Sequence, residues 1–186
     1  MDNDQGIYDK RILDFVTIAA EFCAFLEQDA PIQRDEWSGK MLKILPLLYL
    51  KAQLLPDVPV WEEEMPELFV REEDYAHVAH SVGNIMGEDD VYLDVFVDEM
   101  KYSDTPVSAT ISENVADIYQ DVRNFVSVYQ LELEEQMPMA IRFCRESFHL
   151  YWGQKLVNLL RPLHALKYGE GALTDEENIN DRKPWE

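Results

Sequence analysis

The stretch MAIRFCRESFHLYWGQKLVNLLRPLHALKY, from Met139 to Tyr168, decides the fold. Apolar side chains recur along one side of it at helical spacing: Ile141, Cys144, Phe148, Trp152, Leu156, Leu159, Leu163 and Leu166. A second stripe lies nearly opposite: Phe143, Leu150 and Val157, continued by Arg161 and His164. A helix that is apolar on both sides is expected to be surrounded by other helices. The stretch therefore predicts a central C-terminal helix, in which Lys155, Arg161 and His164 need polar partners from neighbouring helices.

Four more helices are predicted upstream from the same periodicity, over residues 4–28, 33–55, 72–86 and 113–135. Pro46 lies inside the second and predicts a kink or a split there, because proline lacks an N–H group and crowds the preceding turn. Ser112 is a favourable N-cap for the fourth. Three prolines within residues 55–70 predict a loop, whose Val60 and Trp61 are expected to pack onto the bundle.

Residues 90–98 break the helical period, because apolar Val91, Leu93, Val95 and Val97 alternate with other residues. That alternation predicts an extended segment, which pairs with residues 107–111 as a small hairpin. A short helix is the alternative. We therefore predict a single all-α domain over residues 1–168, a bundle of about five main helices with a small extended insertion. Residues 169–186 are polar and acidic and predict a mobile tail.

The composition excludes several classes of partner. A net charge of −21 would repel a nucleic acid or an anionic membrane. It suits an acidic coat that maintains solubility, or a surface that binds a basic protein partner, binds cations or mimics the charge of a nucleic acid. Both cysteines, Cys23 and Cys144, lie on apolar helical stripes and are expected as buried thiols in a reducing compartment. The N-terminus lacks the pattern of a signal peptide and no segment is long enough to cross a membrane, so a cytoplasmic location is expected.

A row of carboxylates on the fourth helix is the best candidate polar cluster. Asp117 and Asp121 stand one turn apart, with Glu113 preceding them. If the C-terminal helix packs beside this row, either aspartate could pair with Arg161, and His164 could join them. A structural ion pair, a solvated row without a partner and a catalytic or binding site are the alternatives. Arg161→Met separates them in part, since loss of a buried pair would cost about 3–5 kcal/mol and loss of an exposed arginine almost nothing.

A metal site is a weaker possibility. Di-iron helical bundles use Glu-x-x-His on facing helices. This chain carries Glu146-x-x-His149 on the C-terminal helix and Asp74-x-x-His77 on the third. His77 falls nearly opposite the apolar face of its helix, so we assign no metal and no cofactor. Glycine-rich phosphate loops and the Gly-x-Ser-x-Gly elbow are absent from the sequence.

Two segments resemble a bacterial family of small all-helical proteins of unknown function. SENVADIYQDV, residues 112–122, is similar to the family's Asp-Ile-Tyr-x-Asp helix. FHLYWGQKLVNLLRPLHAL, residues 148–166, is similar to its Trp-Gly…Leu-Arg-x-Leu-His helix. The matching positions are Asp117, Ile118, Tyr119, Asp121, Trp152, Gly153, Leu160, Arg161, Leu163 and His164. Tyr151 and Lys155 stand where the family carries histidine or a histidine-like residue. The resemblance implies an all-helical bundle without an assigned activity.

Taken together, the sequence favours a cytoplasmic, non-enzymatic interaction or regulatory module of unknown oligomeric state. The alternative is a metal-dependent helical-bundle enzyme with Asp, Glu and His ligands. Elemental analysis and a thermal-shift screen with Mn²⁺, Fe²⁺ and Mg²⁺ distinguish the two.

Overall fold

A computed structural model describes residues 4–59, 65–94 and 107–169. The elements follow in the order α1 (Asp4–Ile7), α2 (Lys10–Leu26), α3 (Arg34–Gln53), α4 (Glu72–Met86), a 3₁₀ turn (Gly87–Asp90), β1 (Val91–Asp94), β2 (Val107–Thr110), α5 (Ile111–Gln130), α6 (Met137–Ser147), a π-helical turn (Phe148–Trp152) and α7 (Gly153–Tyr168). The predicted all-α bundle with a small extended insertion is confirmed. Among the described residues no helix is long and apolar enough to span a membrane.

Helix α5 is the most enclosed element. It packs against α2, α4, α6 and α7, while α7 packs against α3 and α5. Residues on several sides of α5 are buried, among them Ile111, Val115, Ala116, Ile118, Val122, Val126 and Val128. The first apolar stripe of the C-terminal stretch completes the core with residues that are at most 6% exposed: Ile141, Cys144, Phe148, Trp152, Leu156, Leu159 and Leu163. The aromatic centre of this core stacks Phe15 on Trp152, with 6.5 Å between the ring centroids.

The second stripe of the C-terminal stretch faces solvent, so the expectation that other helices cover it is wrong. Leu150 is 86% exposed and Val157 is 44% exposed. Arg161 and His164, which continue the stripe, are exposed as well. The physical reason is that, among the described residues, the helices that pack most closely on α7 are α3 and α5, and they receive its first stripe.

The π-helical turn joins α6 to α7 without ending the helical run. Its defining bond runs from the Gly153 N–H to the carbonyl of Phe148, five residues earlier. The buried Trp152 indole N–H donates to the carbonyl of Cys144 at 3.2 Å. The successive buried positions Cys144, Phe148, Trp152 and Leu156 are each four apart. In a regular α-helix, three steps of four residues would rotate the side chains by about 120° around the helix axis. The wider π turn offsets this rotation, so that all four side chains face the core.

Several predicted boundaries need correction. The first predicted helix is divided, because Asp9 accepts the Arg11 N–H at 2.8 Å and starts α2 anew. Pro46 does not split α3, which continues to Gln53. The N-cap of α5 is Thr110 and not Ser112, since the Thr110 hydroxyl accepts the Glu113 N–H. Helix α5 ends at Gln130 and not near residue 135.

The predicted hairpin is present. β1 and β2 pair antiparallel, with Val91 opposite Thr110 and Asp94 opposite Val107. The predicted continuation of the first strand over residues 95–98, the packing of Val60 and Trp61, and the tail over residues 170–186 lie outside the described residues.

Candidate functional site

A half-buried polar network lies where α4, α5 and α7 meet. Lys155 of α7 forms an ion pair with Asp117 of α5, with 2.8 Å between Nζ and Oδ2. The Tyr75 hydroxyl of α4 donates to the other oxygen of Asp117 at 3.0 Å. The side chains of Lys155 and Asp117 are 27% and 19% exposed, so water screens the pair only in part.

The network continues to the hairpin. Lys155 Nζ also donates to Asn114 Oδ1 at 3.1 Å, and Asn114 Nδ2 donates to the Tyr92 hydroxyl of β1 at 2.6 Å. Tyr75, Asp117, Lys155, Asn114 and Tyr92 therefore form one continuous set of hydrogen bonds, which we call the polar chain. It ties α4, α5, α7 and β1 together through side chains alone.

Asp121 stands one turn beyond Asp117 and has a separate partner. It accepts a hydrogen bond from the Ser147 hydroxyl at the end of α6. Burial raises the pKa of the Asp121 carboxyl, the Ser147 hydrogen bond acts in the opposite direction, and the charge of Asp117 adds to the increase. The folded protein therefore holds a proton on Asp121 at pH values where an ordinary carboxyl would have lost it.

Burial and neighbouring charges shift the pKa values of Lys155, Tyr75 and Tyr92 in the polar chain. Burial alone would lower the pKa of Lys155, but the hydrogen bond and the charge of Asp117 outweigh it and raise that pKa. Burial raises the pKa of Tyr75, with a further contribution from Asp117, and it raises the pKa of Tyr92 to about 12. Within the polar chain, charged Lys155 and neutral Tyr75 donate hydrogen bonds, and the Tyr92 hydroxyl accepts one from Asn114.

The predicted four-residue cluster forms only in part. Asp117 and Asp121 lie side by side on α5 as expected, but their partners are Lys155, Tyr75 and Ser147. Arg161 is exposed and lines a groove further along α7, and within the described ranges it makes no ion pair. His164, also exposed, contacts the ring of Tyr168 in a tilted arrangement, with 4.9 Å between the ring centroids. The expected pairing of Arg161 and His164 with the aspartates is wrong, because Lys155 lies nearer the π turn and occupies that side of α5.

The alternative metal ligands do not converge. Glu146 accepts a hydrogen bond from Arg142, and Asp74 accepts the Arg71 N–H at the start of α4. His77 lies 3.6 Å from Asp29, and His149 is exposed. Over residues 4–59, 65–94 and 107–169 no three His, Cys, Asp or Glu side chains form a group that could hold a metal ion.

A mostly apolar groove lies beside the polar chain. It lies between β1 and α7, has a volume of about 590 Å³, and begins at Tyr92. Its apolar lining consists of Val91, Leu93, Val157, Pro162, Ala165 and Leu166. Asp94 accepts a hydrogen bond from Asn158 at 2.8 Å, which joins the two walls. We refer to this feature as the β1–α7 groove.

The sequence predicted only part of this site. Lys155 was recognised as a polar group that needs a partner from another helix, and Asp117 is that partner. Tyr75, Asn114 and Ser147 were missed, because each lies on a different element and nothing in the spacing relates them. The groove depends on how β1 sits against α7, which periodicity does not report.

Lys155 and Arg161 provide a direct test of the site's geometry. Lys155→Met should destabilise the fold by about 1–2 kcal/mol, since it removes the cation that pairs with the partly buried carboxylate of Asp117 and leaves that carboxylate with tyrosine hydroxyls only. Arg161→Met should change the free energy of unfolding by less than about 0.5 kcal/mol, because the guanidinium is exposed. Urea unfolding of both variants measures the two values. The reverse order of effects would place the ion pair of Asp117 on Arg161.

Asp121→Asn should remove a pH dependence of stability. Because the folded pKa of Asp121 is raised, the unfolded chain binds fewer protons above the ordinary carboxyl pKa, and stability falls as pH rises from that value through the raised pKa. Asparagine keeps an acceptor for Ser147 and has no charge to desolvate. We therefore expect equal stability at pH 7, or a gain of up to about 1 kcal/mol, and a flatter profile between acidic and neutral pH. A loss of stability at pH 7 with an unchanged profile would contradict this account of Asp121.

Comparison with known proteins yields a family and a fold but no activity. A family model described as a domain of unknown function (DUF5063) matches residues 6–169. The chain is also similar to the crystal structure of protein BF1032 from Bacteroides fragilis, a structural genomics target. The two are 46% identical with a TM-score of 0.77, over 88% of this chain and 96% of the other. The search of curated proteins found no match.

Proposed function

The chain belongs to the DUF5063 family of domains of unknown function, and we propose that it is a non-enzymatic interaction module. Its β1–α7 groove binds a segment of a protein partner that is both apolar and basic. The observation that carries the proposal is the groove itself, an apolar concavity whose volume of about 590 Å³ falls in the range of binding sites.

The charges around the groove support a basic partner. Glu88, Asp89 and Asp94 contribute three carboxylates to its lining, against the single guanidinium of Arg161. Asp89 forms an ion pair with Arg34. Glu88, at the same end of the groove, is exposed. The net charge of −21 would also accelerate the encounter with a cationic partner.

The polar chain supports a structural role for the adjoining residues. Each member of the chain is hydrogen-bonded to another, so the wall of the groove formed by Tyr92 and α7 is held in place before a partner arrives. A preorganised wall lowers the entropic cost of binding. The buried free thiols Cys23 and Cys144 suit a reducing compartment, which supports a cytoplasmic site of action.

Selection of short random peptides on the purified full-length protein tests the proposal. We expect enriched peptides to combine Lys or Arg with large aliphatic residues. Val157→Glu should weaken their binding at least about tenfold, because a charge enters the apolar wall. Leu131→Glu is the matched control, since Leu131 is 57% exposed in the turn after α5 and lies outside the groove.

The Val157→Glu variant distinguishes binding in the β1–α7 groove from binding to the acidic surface in general. Peptides that merely follow the net charge would bind Val157→Glu as well as the unmodified protein, or more tightly. That result, or the absence of any enriched motif, would overturn the assignment of the groove.

A further inference from the structure

Helix α3 carries a surface whose chemistry differs from the rest of this acidic chain. From Trp37 to Pro56 the sequence contains no Asp or Glu, although the whole chain has 37 of them. Lys40, Lys43 and Lys51 lie within that stretch. The run is too long to result from a single helical face, so beyond its first turn, which holds Asp35 and Glu36, α3 is free of acids on both its buried and its exposed sides.

The outer side of α3 is apolar. Leu47, Leu50 and Leu54 are 49%, 49% and 46% exposed, and they follow one another at spacings of three and four residues. That spacing aligns them along one side of a helix, with Lys43 one turn before Leu47. The buried residues lie on the opposite side: Trp37, Ser38, Met41, Leu45, Leu48 and Ala52. We call Lys43, Leu47, Leu50 and Leu54 the outer face of α3, and it is about 16 Å long.

The charges beside this face have different partners. Lys51 pairs with Asp14 of α2, and Lys40 pairs with Glu36 one turn earlier in α3. Lys43 is exposed and has no ion pair among the residues that the structure describes. With Lys40 and Lys51 already paired, Lys43 gives the outer face of α3 a positive charge within a protein of net charge −21.

We propose that the outer face of α3 docks an amphipathic helix of a partner protein whose apolar stripe is flanked by acidic residues. The three leucines supply the apolar contact, spaced as anchors for a helix that lies alongside α3. Lys43 supplies the complementary charge. A second copy of this chain fits less well, because self-association would bring two positive faces together and join two molecules of strongly negative charge.

A synthetic peptide tests the docking surface on the full-length protein. The probe is a helical peptide with leucine at positions i, i+3, i+4 and i+7 and glutamate at the flanking positions. A scrambled peptide of identical composition, which lacks an apolar side, is its control. We expect the helical peptide to bind, measured by fluorescence anisotropy, and the scrambled peptide to bind at least about tenfold more weakly.

Variants of the protein locate the binding. Leu50→Glu and Lys43→Glu should each weaken binding of the helical peptide at least about tenfold, and Leu131→Glu should leave it unchanged. Circular dichroism establishes that the variants are folded. Equal binding of the peptide to the unmodified protein and to Leu50→Glu would overturn the proposal.

Two further measurements test a second copy of the chain and an anionic lipid surface as alternative occupants of the outer face of α3. Sedimentation equilibrium that shows a dimer dissociated by Leu50→Glu would overturn the proposal in favour of a second copy. Co-sedimentation with phosphatidylglycerol vesicles, abolished by the same variant, would overturn it in favour of an anionic lipid surface. A monomer that does not bind these vesicles, together with the peptide result, supports a protein helix as the occupant.

Discussion

Replacing Trp152 with alanine is expected to destabilise the protein by about 3–5 kcal/mol, the largest effect of any single substitution considered for this fold. The indole is fully buried and contacts two other aromatic rings, with centroid distances of 4.7 Å to Phe148 and 6.5 Å to Phe15. Its N–H is bonded to the Cys144 carbonyl, so alanine leaves both a cavity and an acceptor without that donor.

Urea unfolding followed by far-ultraviolet circular dichroism measures the change. Trp152→Phe is the matched control, since it retains a ring in the cavity and removes only the indole hydrogen bond and part of the volume. We expect it to cost about half as much or less. If Trp152→Phe cost as much as Trp152→Ala, the hydrogen bond to Cys144, and not the packing of the ring, would dominate.

Periodicity predicted the helices that have one buried side. The prediction of 72–86 coincides with α4, since Val78, Val82 and Met86 form a simple stripe and Gly87 ends the helix with a positive φ of 59°. The change from helical spacing to alternation predicted the extended conformation of β1 but not its buried side, since Val91 and Leu93 are 61% and 63% exposed and Tyr92 is half-buried. A local pattern therefore predicts burial in α4 and only backbone conformation in β1.

The same reasoning failed where burial depends on a distant element. The spacing of Leu150 and Val157 predicts a second buried side, but these residues are 86% and 44% exposed. The spacing also allows Arg161 to pair with Asp117 or Asp121, yet it is Lys155, in the first turn of α7, that pairs with Asp117. A sequence pattern shows on which side of its own helix a residue lies. Which residue of the neighbouring helix it contacts depends on how the two helices pack.

The two proposed docking surfaces of this molecule differ in character. The polar chain holds α4, α5, α7 and β1 together, which stabilises the wall of the β1–α7 groove. The groove has acids at its edge, whereas the outer face of α3 is free of acids. Each surface is tested by its own variant, Val157→Glu for the groove and Leu50→Glu for the outer face of α3.

Gly153→Ala is expected to cost about 2–3 kcal/mol, although alanine is normally the better helix former. A Cβ atom at position 153 would lie 2.8 Å from Cε2 and 2.9 Å from Cδ2 of the buried Phe148 ring. It would also collide with the Phe148 carbonyl oxygen, the acceptor of the π-turn hydrogen bond. Relief requires either a shift of Phe148 out of its packed position or loss of the π turn.

Gly83→Ala is the matched control, because Gly83 lies inside α4 and a Cβ there meets its nearest atoms at 3.7 Å or more. It should stabilise the protein by about 0.5–1 kcal/mol through the lower backbone entropy of the unfolded chain. Near-ultraviolet circular dichroism should change in Gly153→Ala and not in Gly83→Ala, because Trp152 adjoins only the former. If both variants were stabilised alike, residues 148–153 would form a regular α-helical turn, and the alignment of Cys144 with Leu156 on the core side would need another explanation.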